Sequence, residues 1–144
     1  MRCDHLVRVV DWETDMLTLR NIRTTVFIRE QQVPVDLEWD EFDMISTHFL
    51  VFNNHREAVG TARLLPDGHI GRMAVLKEWR GKGYGSAILK KILEELRERH
   101  VQKAMLNAQI SAVKFYERFG FQQVSEEKFV EAGIPHVKMV ILLE

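Results

Sequence analysis

Arg80-Gly81-Lys82-Gly83-Tyr84-Gly85-Ser86 places three glycines at alternate positions between two apolar patterns of different period. Upstream, Ile70-Gly71-Arg72-Met73-Ala74-Val75-Leu76 reads as a strand. Downstream, Ile88, Leu89, Ile92, Leu93 and Leu96 recur every three or four residues, one apolar stripe of a helix running from about Tyr84 to His100. Glycines here let the backbone bend sharply and leave no side chains over the first helical turn. Its N–H groups are then free to face an anion, which the helix dipole favours. The stretch predicts a phosphate cradle between strand and helix.

The rest of the chain surrounds that junction with a mixed α/β pattern. Leu6 to Val10 is a first strand, and Thr14 with Asp15 opens a helix whose apolar face is Met16, Leu17, Leu19, Ile22, Val26 and Phe27. This helix should end near Gln31-Gln32-Val33-Pro34, because the residue before proline disfavours the α region. Asp36 to Asp43 interleaves acids with large apolar residues, as a short helix or an ordered loop. His48–Phe52, Ala58–Leu65 and the strand to Leu76, joined by turns at Asn53–Arg56 and Pro66–Gly68, read as an antiparallel meander feeding the glycine loop. Ala104–Leu106 is a short buried strand, and Ser111–Phe119 a helix capped by Gly120. Phe121–Phe129 and Val137–Leu143 are closing strands, with Gly133-Ile134-Pro135 between them.

Bulk properties narrow the function classes. The 144 residues, 46% apolar and 28% charged, suit one ordinary globular domain over 1–144. A net charge of -1 argues against nucleic-acid binding through a broadly basic surface. Cys3 is the only cysteine, which excludes an internal disulfide and thiolate-rich metal sites, and the six histidines show no metal-ligand spacing. No apolar run approaches the roughly 20 residues needed to span a bilayer, and the N-terminus lacks a signal-peptide layout. The expectation is a soluble cytoplasmic domain with neither membrane nor metal. A homodimer is left open.

Three phosphate-loop patterns compete for the glycine stretch. A Walker A loop needs Ser or Thr after Gly-Lys, whereas Gly83 follows Lys82. The dinucleotide fingerprint, started at Gly81, reaches Ser86 where a third glycine belongs, and the preceding strands lack its early βαβ unit. The third is Arg/Gln-x-x-Gly-x-Gly/Ala, matched by Arg80, Gly83 and Gly85. Together with Phe115-Tyr116-Glu117-Arg118-Phe119-Gly120-Phe121, this loop resembles the GNAT family of acyl-coenzyme-A-dependent N-acyltransferases over nearly the whole chain. Val26-Phe27-Ile28-Arg29-Glu30-Gln31, with Asp40, Asp43 and His48, further resembles the small bacterial ElaA-like subgroup.

That resemblance implies an α/β (α+β) fold whose mixed, mostly antiparallel central sheet is flanked by helices and splayed at the cofactor slot. It implies transfer of an acetyl group from acetyl-coenzyme A to a small-molecule or peptide amine, by direct attack in a ternary complex. By the same resemblance, main-chain groups of Met73, Ala74 and Val75 pair with the pantetheine arm, and the amides of Gly81, Lys82, Gly83, Tyr84, Gly85 and Ser86 hold the pyrophosphate. Arg80 and Lys82 could add charge for the phosphates. Tyr116 is the implied general acid for the departing thiolate; a phenol is neutral at pH 7 and can donate its proton. Its alternative is a helix aromatic packing on Phe121. Gln109 stands where many members carry a cofactor-contacting Asn, and Asn107 could reach acceptor or pantetheine.

The base that frees the incoming amine has several candidates: Glu30, Glu38, Asp40, Glu41, Asp43 and His48. The acids from Asp36 to Asp43 could draw in a cationic amine, or could be a solvated capping stretch. Arg63 and Arg72 could instead hold an anionic group of the acceptor. An alternative from another class is a non-catalytic acyl-coenzyme-A sensor or interaction domain.

Overall fold

The computed structural model describes residues 5–143; Cys3, the single cysteine, lies outside them. The first elements are strand β1 (Leu6–Val10), helix α1 (Trp12–Arg23), a π-helical segment (Thr24–Glu30), helix α2 (Val35–Glu38) and a 3-10 turn (Glu41–Asp43). Next come β2 (Thr47–Phe52), β3 (Ala58–Leu64), β4 (His69–Val75), a 3-10 turn (Lys77–Trp79) and α3 (Tyr84–Glu98). β5 (Lys103–Gln109), a 3-10 turn (Ile110–Ala112), α4 (Val113–Glu117), β6 (Gln122–Gln123), β7 (Phe129–Glu131) and β8 (Ile134–Leu142) complete the chain. The sheet runs β1-β2-β3-β4-β5-β8-β6, with β7 added on β8. β4–β5 is its parallel pairing; the others are antiparallel.

Strand alternation divides the core. Phe49 and Val51 of β2 turn to one face, where they meet Ile88, Leu89, Ile92 and Leu96 of α3; Leu50 turns to the other, with Leu19 and Ile22 of α1 and Val26 and Phe27 of the π segment. The predicted meander and the α3 stripe are therefore present, and helices cover both faces.

Five local expectations change. α1 begins at Asp11 rather than Thr14: the Asp11 carboxylate accepts the Thr14 N–H at 2.7 Å, which makes Thr14 the third helical residue. The single helix predicted to Gln31 changes register at Thr24. The Thr25 hydroxyl donates to the Asn21 carbonyl at 2.9 Å, competing with the main-chain ladder where it widens. The closing strand predicted over Phe121–Phe129 survives only as β6 and β7, because Ser125-Glu126-Glu127-Lys128 is polar and exposed. Its return turn is Ala132-Gly133, both at positive φ (51° and 80°), so Ile134 and Pro135 belong to β8. β5 is also longer than the apolar triplet suggests, since it pairs with β8 from Lys103 to Gln109.

A bulge in β4 decides which way its last residues face. Gly71 lies opposite Arg63 and Ala74 opposite Thr61, so Arg72 and Met73 together face Ala62, with Arg72 at φ 49°. The extra residue reverses the side-chain parity of the strand. Ile70, Met73 and Val75 consequently share the α3 face, while Ala74 joins the opposite core.

Candidate active site

β4 and β5 stay in register for only two pairs, His69↔Met105 and Ile70↔Leu106, and then diverge. The opening is a cleft of about 590 Å³, walled by Arg72 and Met73 on one strand, Asn107 and Gln109 on the other, with Tyr116, Glu131 and His136 also on its lining. Farther along β4 and α4 lies a second concavity of about 400 Å³, where Val75 and Phe115 adjoin Arg80, Gly81, Gly83, Gly85, Ser86 and Arg118. The splay expected between the strand ending near Val75 and the one ending near Asn107 is present.

The second concavity is the glycine loop. α3 has no side-chain cap, and its first intrahelical bond is Ala87 N–H to Gly83 carbonyl at 3.0 Å, so the N–H groups of Tyr84, Gly85 and Ser86 have no partner within the helix. Gly83 sits at φ 89°, and a Cβ there would lie 3.3 Å from the His5 imidazole. His5 donates Nε2–H to the Lys82 carbonyl at 2.8 Å and stacks on Tyr84 at 3.9 Å. Tyr84 is buried, so its side chain fixes the loop from below while its amide stays at the rim. A basic rim, unpartnered amides and glycine backbone fit a diphosphate.

The source of positive charge differs from expectation. Arg80 is bound in a fork to Glu30 (2.6 and 2.7 Å), and its Nε donates to the Val75 carbonyl at 2.8 Å. Its charge is answered by a carboxylate, which Arg80 in turn holds below the usual range. Glu30 thereby ties the π segment to the loop and does not line the larger cleft. Lys82 lies over the Trp79 ring at 5.9 Å. Arg118, one helical turn past Lys114, supplies a rim cation that sequence reasoning missed; only its place within the Tyr-x-x-x-Gly-Phe stretch could have marked it.

Tyr116 packs as a helix aromatic on Phe121 and also lines the cleft. Its ring packs edge-on against Phe115 (5.1 Å) and Phe121 (5.9 Å), while its hydroxyl lies on the cleft, donating to Met73 Sδ at 3.7 Å. Burial pushes the phenol up to about 12. Gln109 donates from Nε2 to Gln31 Oε1 at 3.1 Å, bridging the cleft, and Asn107 Nδ2 holds Glu131 Oε1 at 3.2 Å.

The acids and arginines assemble into one buried network. Arg23, 1% exposed, donates from Nε to Glu38 Oε2 and from Nη1 to Asp43 Oδ1, each at 2.7 Å. Arg63 Nη1 reaches Asp40 (2.7 Å) and Asp43 (3.1 Å), and Arg72 bonds Asp40, the Leu37 and Glu38 carbonyls and the Glu38 carboxylate. His48 Nε2–H donates to the Asp43 carbonyl at 2.8 Å, its ring against Trp12. Asp43 and His48, singled out as acceptor-binding, are thus buried behind the cleft rather than on it. Burial would raise Asp43, but hydrogen bonds and charge from Arg23, the Asp40 N–H and Arg63 outweigh it and hold its carboxyl below the ordinary value of 3.8. Burial pushes Glu38 up, with Arg23 and Arg72 pulling against it, and burial pushes His48 down. Of the acceptor-side candidates named from sequence, Glu38, Arg63 and Arg72 line the cleft, whereas Glu30, Asp40, Glu41, Asp43 and His48 do not. Glu131 and His136 line it without having been singled out; no motif marks them.

Among the described residues no group of three or more His, Cys, Asp or Glu is placed to hold a metal ion, and no helix is long and apolar enough to cross a membrane. A family model described as an acetyltransferase (GNAT) domain matches residues 24–143. The chain is 37% identical over 122 residues to the uncharacterized N-acetyltransferase YjcF of Bacillus subtilis, covering 83% of this chain and 86% of that one. The Escherichia coli ElaA crystal structure superposes with a TM-score of 0.83 at 29% identity, over 95% of this chain and 99% of that one. An acyl-CoA N-acyltransferase from Pseudomonas aeruginosa does so with the same TM-score and coverage at 25% identity. A splayed sheet, an uncapped helix behind a glycine loop and a family match across most of the sequence lead to one assignment: this chain belongs to the GNAT acetyltransferases, whose general activity is acetyl transfer from acetyl-coenzyme A.

Proposed function

We propose that this protein transfers an acetyl group from acetyl-coenzyme A to an amine by direct attack, with both substrates held in the β4–β5 opening. The observation that carries the reading is succession along two elements. Met73 of β4 and Tyr116 of α4 line the cleft, while Val75 and Phe115, next along the same elements, line the glycine-loop concavity. The amides of Gly83 to Ser86 and Arg118 would hold the diphosphate, and main-chain groups of Met73 the pantetheine arm, since Ala74 is paired with Thr61 of β3. The Val75 carbonyl already accepts from Arg80, so its N–H is the part left for substrate or oxyanion. Tyr116 would protonate the leaving sulfur. Holding both reactants in one cleft would itself contribute a large share of the acceleration.

Tyr116→Phe is expected to lower kcat about 100-fold, within the range for loss of a general acid, while leaving the coenzyme A Kd within a few-fold. Because burial keeps the phenol protonated up to about 12, the wild-type kcat should show no alkaline decline assignable to Tyr116 below about pH 10. Thiol release from acetyl-coenzyme A over a panel of amines, with calorimetry of coenzyme A binding, checks both. Tight coenzyme A binding with no thiol release on any amine would replace the transferase by a sensor. An unchanged rate in Tyr116→Phe would move the acid elsewhere.

A further inference from the structure

Resting on this acyl-transfer reading, we propose that His136 is the base that takes the proton from the acceptor's ammonium group, and that Glu131 holds that ammonium against it. His136 lies near the start of β8, between Gln109 of β5 and Phe129 of β7, its ring stacked on Phe129 at 5.9 Å and 21°. Nδ1 lies 2.6 Å from the Ile134 carbonyl. A carbonyl only accepts, so Nδ1 carries the proton, and the neutral ring keeps its lone pair on Nε2. Among the described residues Nε2 has no hydrogen-bond partner, yet it is not a sealed atom; it faces Glu131 Oε2 across 4.0 Å on the cleft lining.

Two acceptors placed face to face cannot satisfy one another while the ring is neutral. A primary ammonium, with three N–H donors, satisfies both at once. Glu131 is steadied for that task by Asn107, which donates to its other oxygen at 3.2 Å. The charged and titratable groups sharing the cleft are Glu38, Arg63, His69, Arg72, Tyr116 and Glu131. Arg63 and Arg72 are answered by Asp40, Asp43 and Glu38, and His69 by Asp67 at 2.9 Å. Glu131 is therefore the carboxylate left to meet a cation at this end.

The proton balance closes. The ammonium gives one proton to Nε2, and the imidazolium so formed sits beside the Glu131 carboxylate. The freed nitrogen lone pair forms the C–N bond to the acetyl carbon, and the C–S bond breaks. Tyr116 protonates sulfur and recovers its proton from the new amide nitrogen, while His136 releases its proton to solvent, one per turnover.

The test uses acetyl-coenzyme A with a panel of primary amines (an alkylamine, a diamine, free amino acids and a short peptide), read by thiol release from pH 5.5 to 9.5. His136→Gln, shown folded by circular dichroism, should lose about 10²–10³-fold in kcat/KM and the acid limb of its pH profile, with coenzyme A affinity unchanged by calorimetry. Imidazole added to His136→Ala should restore part of the rate, which a packing role would not allow. Glu131→Gln, on a half-exposed hairpin side chain, should raise KM for the amine about 10-fold with kcat changed far less. Nitrogen NMR of the wild type should find the His136 proton on Nδ1 at neutral pH. A proton on Nε2, or wild-type rates and profiles in both Gln variants, would overturn the base assignment and leave the transferase standing. No thiol release by the wild type with any amine would remove both.

Discussion

Gly83→Glu is expected to weaken coenzyme A binding by at least 100-fold while leaving the fold intact. Three effects act together. The residue sits at φ 89°, which costs a side-chain-bearing residue about 1–2 kcal/mol. A Cβ would press on the His5 ring at 3.3 Å, the ring that braces the Lys82 carbonyl. A carboxylate would stand where the unpartnered α3 amides favour an anion, repelling a diphosphate. Strain and charge separate experimentally: Gly83→Gln should bind more weakly than the wild type yet more tightly than Gly83→Glu. Calorimetry with coenzyme A decides it, and equal affinity in wild type and Gly83→Glu would end the cradle assignment.

The largest stability effect is expected at Arg23. Arg23→Ala removes the shortest partner of the Glu38 and Asp43 carboxylates, which are 2% exposed each, and leaves them only the longer contacts to Arg72 and Arg63. Breaking a buried pair by removing one partner costs about 3–5 kcal/mol, which for a chain of this size lowers Tm by roughly 10 °C or more. It also removes cation–π contacts to Trp12 and Trp39, at 5.3 and 4.9 Å. The loss should depend on pH. In the wild type the folded Asp43 carboxyl lies below its unfolded value, so its stabilisation is complete above about pH 4 and fades as pH falls through the lower folded value. In Arg23→Ala the same carboxyl is buried without its main partner and gains by protonation. The gap between the two proteins should narrow on acidification, and urea unfolding at pH 7 and pH 3.5 measures it. A gap that is constant with pH would show that lost packing, not stranded charge, sets the cost.

Much of the architecture was legible because it is written in local repetition. The short apolar runs within His48–Phe52 and Ala58–Leu64 mark strands buried on both faces, and the three-four period of Ile88–Leu96 records the buried side of α3, properties of near neighbours along the chain. The errors lie where local signals competed. Thr14 is a good cap, but Asp11 three residues earlier is also one and has the extended backbone a cap requires. Gly133-Ile134-Pro135 looks like a turn by composition, yet the two left-handed positions fall on Ala132 and Gly133.

The site divides in the same way. Gly81, Gly83 and Gly85 announce the cradle because backbone freedom and an open helix start belong to consecutive residues, and Tyr116 is marked by a short motif. The acceptor side is built from contacts between distant segments. Arg80 is neutralised by Glu30, 50 positions away; Asp43 and His48 are drawn behind the cleft by Arg23 and by the turn they share. Glu131 meets His136 only because a tight hairpin folds β7 onto β8 at the cleft mouth. Sequence alone determined the sheet-and-helix frame and the glycine loop with its open helix start, since both follow from burial pattern and backbone conformation over short spans. Which carboxylate answers which arginine, and which lone pair is left facing the cleft, was decided by tertiary packing, because charge pairing is settled by distance in space and leaves no period in the chain.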